Sequence, residues 1–101
     1  MKRILLRKNN KDITILTLNS PKNLNALSDA MLDALKEAFL NIGKSKKIKA
    51  VILRANGNAF CAGHDLKEMQ NFRDRKDGGK HYYQELLEKC TYVMKLIREL
   101  P

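Results

Sequence analysis

The chain has no long apolar run. No segment approaches the roughly 20 apolar residues that a bilayer-spanning helix requires, so no membrane span is expected. Ile4-Leu5-Leu6 follows basic residues as the start of a signal peptide would, but Arg7 and Lys8 end the apolar stretch. No secretory h-region forms, and no organelle-targeting presequence is evident. Cysteine is scarce: Cys61 and Cys90 are the only two. They make no metal motif, and without a secretory signal they read as reduced thiols. The expected compartment is the cytoplasm, and no metal site is expected. Acidic residues are also few, 11 against 20 basic ones, which leaves a net charge of +9.

A field of that sign attracts anions: nucleic acid, an acidic membrane or a phosphorylated small molecule. The basic residues are scattered, however, and only Lys44, Lys46, Lys47 and Lys49 cluster tightly. A solvated basic surface is the plainer reading. A nucleic-acid binder would need a recognition motif or an aromatic stacking platform. Neither is present, so nucleic acid ranks low as a partner. What remains is an ordinary globular composition, 44% hydrophobic and 31% charged, long enough for one small domain.

The hydrophobic pattern predicts an α/β chain. Ile4–Leu6 reads as a short strand, Asn9–Asp12 as a turn, and the β-branched run Ile13–Leu18 as a second strand of a hairpin. Ser28 is placed to cap a helix whose apolar face is Met31, Leu32, Leu35, Phe39 and Ile42, with Gly43 as its stop. Ile48–Leu53 is a further strand. Strand, helix and strand together predict a parallel, right-handed unit. Asp65 and Glu68 resemble a capping box opening a short helix to Met69 or Gln70. Arg73–Gly79 reads as a mobile polar loop. From Lys80 a long helix follows, with Tyr83, Leu86, Leu87, Cys90, Val93, Met94 and Ile97 on one face and Pro101 at its expected end. Two long amphipathic helices for three strands suggest part of a larger domain, or a chain that completes itself by oligomerising.

Two strand-to-helix loops carry candidate chemistry: Ser20–Leu27 and Ala59–Met69. Ligands of parallel α/β units gather at such strand ends. Gly63 lacks a Cβ and allows close backbone approach. Beyond it the chain enters a helix N-terminus, where unpaired N–H groups and the dipole favour negative charge. The amide of His64 is therefore placed to stabilise an oxyanion such as a thioester enolate.

Pro21-Lys22-Asn23-Leu24-Asn25-Ala26-Leu27-Ser28 resembles the P-x-x-x-N-A-L-(S/N) loop of the enoyl-CoA hydratase/isomerase (crotonase) family. Ala59-Phe60-Cys61-Ala62-Gly63-His64-Asp65-Leu66-Lys67-Glu68-Met69 resembles its (A/R)-F-(S/C)-A-G-x-D-(L/I)-K-E-(M/L) loop, and Ala50–Leu53 its preceding strand. Order and spacing agree from Ile13 onward. The resemblance implies a crotonase-like β-β-α spiral fold, with residues 1–101 as the N-terminal part of a single domain. It implies acyl-CoA binding, with enoyl-CoA hydration in fatty-acid metabolism as the parent activity.

By the same resemblance, the backbone at Lys22 and Leu24 meets pantetheine and nucleotide, and the Lys22 ammonium lies near phosphate. The backbone at Ala62 meets adenine, followed by Gly63. The amide of His64 is the first oxyanion-hole donor, Asp65 and Leu66 complete that wall, and Lys67 points toward the phosphates. No cofactor is held permanently; coenzyme A arrives as part of the substrate. Family members assemble as trimers or pairs of trimers, which implies a homo-oligomer for the full-length protein.

The family's second oxyanion donor and its catalytic glutamates belong to a segment expected after position 101. Glu85, Glu88 and Glu99 match no catalytic position, so no general acid or base is assigned. The ring of His64 is read as secondary to its amide, Asp65 as an N-cap, Cys61 as a small packing residue and Cys90 as core. A non-catalytic coenzyme A-binding or assembly module is the second reading.

Overall fold

A computed structural model describes residues 3–73 and 78–100. Strand β1, Leu5–Asn10, pairs antiparallel with β2, Ile13–Leu18, in the register Leu5 to Leu18 through Asn10 to Ile13. The turn between them places Lys11 at φ +57. The expected first strand is thus lengthened at its C-terminal end: Asn9 and Asn10 belong to the ladder, and only Lys11 and Asp12 turn. Polar side chains suit β1 because it is an edge strand exposed along most of its length.

Helix α1, Asp29–Gly43, crosses back to β3, Ala50–Ala55, which lies parallel to β2 with Ile13 opposite Ala50. The sheet order is β1-β2-β3. The Oγ of Ser28 accepts the Met31 N–H at 3.1 Å, so the expected cap is made. The expected apolar face of α1 is the buried one: Met31, Leu32, Leu35, Phe39 and Ile42. With Leu16 and Leu18 of β2 these residues form the core. Each such side chain removed from water stabilises the fold by about 1.5–3 kcal/mol.

Helix α2, Leu66–Arg73, runs a turn longer than its sequence suggests, and α3, Lys80–Glu99, packs chiefly on α1. The loop expected over Arg73–Gly79 falls mainly on residues 74–77, outside the described residues, as does the stop at Pro101. The face of α3 differs from expectation. Tyr82, Leu86, Val93 and Leu96 are buried, whereas Leu87 is 61% exposed and Met94 and Ile97 are also exposed. Cys90 is half-buried rather than core. The apolar stripe of α3 is wider than α1 alone can cover, and α1 takes only one edge of it. The radius of gyration, 14.8 Å, accordingly exceeds the roughly 13 Å of a compact domain of about 100 residues.

Candidate coenzyme A site

Both loops leave the same end of the parallel pair β2 and β3, and the chain laces them together. Ser20, Pro21, Lys22 and Asn23 form a 3-10 turn whose last N–H, from Leu24, bonds to the Pro21 carbonyl at 3.1 Å. Leu24 and Asn25 then both adopt left-handed backbone, φ +51 and +53. Two such residues in succession are strained; a bulky leucine there costs about 1–3 kcal/mol. Leu24 is nonetheless 51% exposed, so packing of its side chain does not compensate.

Asn25 supplies the compensation. Its side chain is fully buried. Its Oδ1 accepts the Ser20 N–H at 2.7 Å, and its Nδ2 donates to the carbonyls of Asn56 and Ala59 at 2.8 and 2.9 Å. One side chain thereby fastens the first loop to the second. Gly57 sits under this junction at φ +93, and a Cβ there would meet the Pro21 Cβ at 2.7 Å.

The two loops then run side by side. The Ala62 N–H bonds to the Leu24 carbonyl at 3.1 Å, the Leu27 N–H to the Gly63 carbonyl at 2.6 Å, and the Asp65 N–H to the Leu27 carbonyl at 3.3 Å. This is a one-residue parallel bridge between Leu27 and His64. In such a bridge the neighbours of the central residue make the bonds, while its own N–H and C=O face the other way. The amide of His64 accordingly has no acceptor among the described residues. The buried Nδ1 of its ring is also without a partner among them. Gly63 is needed here for its φ of +88; apart from its chain neighbours, no atom of the described residues lies within 4 Å of a Cβ built on it. Within the protein this conformation is what calls for glycine, and the space beside it stays open for the close approach expected from sequence.

Asp65 caps α2 as expected. Its Oδ1 accepts the Glu68 N–H at 3.1 Å, and its Oδ2 accepts the Asn23 Nδ2 at 3.0 Å. The Asn23 bond and the helix amides hold this carboxyl below its ordinary value. The reciprocal half of a capping box is absent. The Oε1 of Glu68 instead accepts the first amide of α1, Asp29 N–H, at 2.8 Å and the Tyr82 hydroxyl at 3.0 Å. Burial, followed by that Glu68 contact, pushes the Tyr82 phenol well above its usual range. Glu68 thus ties α2 to both long helices.

Two hollows meet at Ala62 and His64. One, about 290 Å³, is lined by Lys22, Asn23, Leu24, Ala26, Ala62, His64, Asp65 and Lys67. The other, about 480 Å³, is apolar and lined by Ala62, His64, Met69, Tyr83, Leu86 and Leu87. Lys22, Leu24, Ala62, His64, Asp65 and Lys67 are therefore brought together as expected, with Gly63 between Ala62 and His64 and Leu66 opening α2. Sequence reasoning missed Asn23, the apolar hollow and the part played by Tyr83, whose hydroxyl donates to the Met69 carbonyl at 3.0 Å. The signal for the hollow was the excess width of the α3 stripe. Cys61 is half-buried beside the core, and its Sγ accepts the Gly63 N–H at 3.4 Å, in keeping with a packing role. Among the described residues no helix is long and apolar enough to cross a membrane, and no cluster suited to a metal ion occurs.

Comparison with known proteins agrees with this geometry. Residues 8–97 match the enoyl-CoA hydratase/isomerase family. The mitochondrial enoyl-CoA hydratase domain-containing protein 3 of Mus musculus is 38% identical over 86 residues, covering 85% of this chain and 27% of that protein. The 3-hydroxyisobutyryl-CoA hydrolase 1 of Arabidopsis thaliana is 50% identical over 54 residues, 54% of this chain and 14% of that protein. An enoyl-CoA hydratase structure from Mycobacterium smegmatis superposes with a TM-score of 0.90 at 46% identity, covering 99% of this chain and 37% of that one. The chain thus spans well under half the length of these relatives. The mitochondrial name of the mouse protein lends no support to the cytoplasmic residence expected from sequence. The matched family, the two loops and the superposed crotonase fold agree: this chain belongs to the enoyl-CoA hydratase/isomerase family.

Proposed function

We propose that this chain grips an acyl-CoA thioester and that the amide of His64 donates a hydrogen bond to the thioester oxygen as negative charge develops on it. The observation that carries the reading is the His64 amide, without an acceptor among the described residues and seated where the lysine-flanked hollow meets the apolar one. Lys22 and Lys67 suit the phosphates of coenzyme A, and the apolar hollow suits an acyl chain. A preorganised donor of this kind contributes about 3 kcal/mol to an oxyanion. The whole protein would be an enoyl-CoA hydratase of fatty-acid metabolism, assembled as a trimer or a pair of trimers in the cytoplasm, with residues 1–101 as the N-terminal part of its domain.

Turnover needs a positioned acid and base as well as a donor. Among the described residues no carboxylate lines the apolar hollow, and Asp65 in the other is already engaged by Asn23 and the start of α2. This favours, as the second reading, a module that binds coenzyme A thioesters without converting them.

Titration calorimetry with acetoacetyl-CoA, alongside a hydration assay on crotonyl-CoA, tests both. Binding without hydration supports the gripping role and the second reading. A Lys22→Ala, Gly63→Val double variant should then lose the binding. His64→Ala should keep the affinity gained from the acyl group, and His64→Pro, which has no N–H, should lose it. No binding at all would refute the proposal. Hydration by this chain would refute the non-catalytic reading and make the His64 ring and Asp65 the residues to test.

A further inference from the structure

The smaller hollow poses an electrostatic puzzle. Lys22 and Lys67 line it, yet so does Asp65, whose side chain is a carboxylate. An anion site that retains a carboxylate gives up affinity unless that carboxylate has other work. Here both of its oxygens are engaged. Oδ1 holds the Glu68 N–H in the first turn of α2, and Oδ2 holds the Asn23 Nδ2 at 3.0 Å across 42 residues of sequence. Asn23 follows Lys22 directly, and Lys67 is two residues beyond Asp65. The backbone lacing runs from Leu24 and Leu27 to Ala62, Gly63 and Asp65, and neither lysine takes part in it. Asn25 ties the first loop to the start of the second, at Asn56 and Ala59; the Asn23–Asp65 bond is the side-chain tie that lies next to both lysines.

We propose that Asn23 and Asp65 form a latch that sets the spacing of Lys22 and Lys67 for a phosphate-bearing ligand, Asn23 acting as a positioning residue through its bond to Asp65. The inference rests on the coenzyme A reading above. It gives the Asp65 carboxylate a role beyond helix capping, and it explains why a negative charge is tolerated in a site built for anions: two donors and a helix N-terminus already neutralise it.

The test compares coenzyme A with pantetheine, which lacks the phosphates, by calorimetry. Asn23→Ala leaves the net charge unchanged, so a purely electrostatic site would not respond. The latch predicts about tenfold weaker coenzyme A binding, the scale of one lost charge-assisted hydrogen bond, with pantetheine unaffected. In Asn23→Asp two carboxylates face each other and binding should weaken further. Adding Asp65→Asn should restore the pair with donor and acceptor exchanged, and should return affinity to within about twofold of the parent. Equal loss for both ligands in Asn23→Ala, or no recovery in the exchanged pair, would overturn the latch. A ligand-free readout separates it from the coenzyme A reading. Amide hydrogen exchange at Lys67 and Glu68 should quicken in Asn23→Ala and slow again in the exchanged pair. If the parent binds neither ligand, the function fails while this exchange pattern still decides the latch. Unchanged exchange in Asn23→Ala would refute it outright.

Discussion

Replacing Asn25 by alanine strands three backbone groups at once. The Ser20 N–H loses its acceptor, and the carbonyls of Asn56 and Ala59 lose their donor. A buried polar group left without a partner costs about 1–3 kcal/mol. Asn56 is exposed, so water repairs its carbonyl cheaply, and the Ser20 and Ala59 groups carry most of the loss. A total of about 2–4 kcal/mol follows from these. Alanine must also hold the left-handed backbone of Asn25, φ +53, which adds about 1 kcal/mol. The sum, about 3–5 kcal/mol, is a large share of the roughly 5–15 kcal/mol available to a domain of this size. It corresponds to a melting temperature lowered by about 15–30 °C.

Urea unfolding followed by far-ultraviolet circular dichroism measures the change. Asn25→Gly separates the two contributions, since glycine loses the hydrogen bonds but not the backbone fit. It should stand about 1 kcal/mol above the alanine variant. Asn25→Asp keeps the acceptor for Ser20 but turns a second oxygen toward two carbonyls, and should be no better than alanine. A loss below about 1 kcal/mol in Asn25→Ala would refute the claim that this side chain fastens the loops.

Three further outcomes are expected. Gly57→Ala should cost about 2 kcal/mol or more in urea unfolding, because its Cβ would lie 2.7 Å from that of Pro21 at a φ of +93. Ser28→Ala should cost about 1 kcal/mol through loss of the α1 cap, with Ser28→Asp close to the parent. The carboxyl of Asp65 is held below its ordinary 3.8 by Asn23 and the helix amides. The stability it contributes is therefore complete above that value and fades as pH falls through the lower folded value. Melting temperatures between pH 2 and 7 should drop less steeply on the acid side in Asp65→Ala than in the parent.

Much of the fold was legible because one face of β2 and one face of α1 are dry. The alternation of Thr14, Leu16 and Leu18 and the helical spacing of Met31, Leu35, Phe39 and Ile42 report burial directly, so strands and helix follow from local sequence. Element ends were less so. The strand expected at Ile48–Leu53 lies at Ala50–Ala55, since the ladder is set by where β2 can pair and not by where the apolar run begins. The face of α3 was misjudged for a related reason. Tyr82 and Tyr83 are adjacent, and only the position of α1 decides that the first is buried in the core while the second lines the hollow.

The site divides along the same line. Asp65 announces itself, because a helix cap is a local demand that few residue types meet; Gly63 stands out as a glycine before a helix, though its left-handed backbone emerges only in the fold. Asn23, Asn25 and Glu68 do not. Each acts on a group 31 to 42 residues away: Asn23 on Asp65, Asn25 on the carbonyls of Asn56 and Ala59, Glu68 on the first amide of α1. A local reading sees in them a turn residue, a loop residue and half a capping box. The side chains of Asn25 and Glu68 hold main chain in place while that of Asn23 holds the Asp65 carboxylate, and the main chain carries the candidate chemistry in the His64 amide. A site arranged in this way should tolerate change of the His64 ring while depending on Asn25 and Glu68, which line neither hollow. Substitutions at Asn25 and Glu68 should therefore disturb the site more than substitution of the histidine ring that lines it.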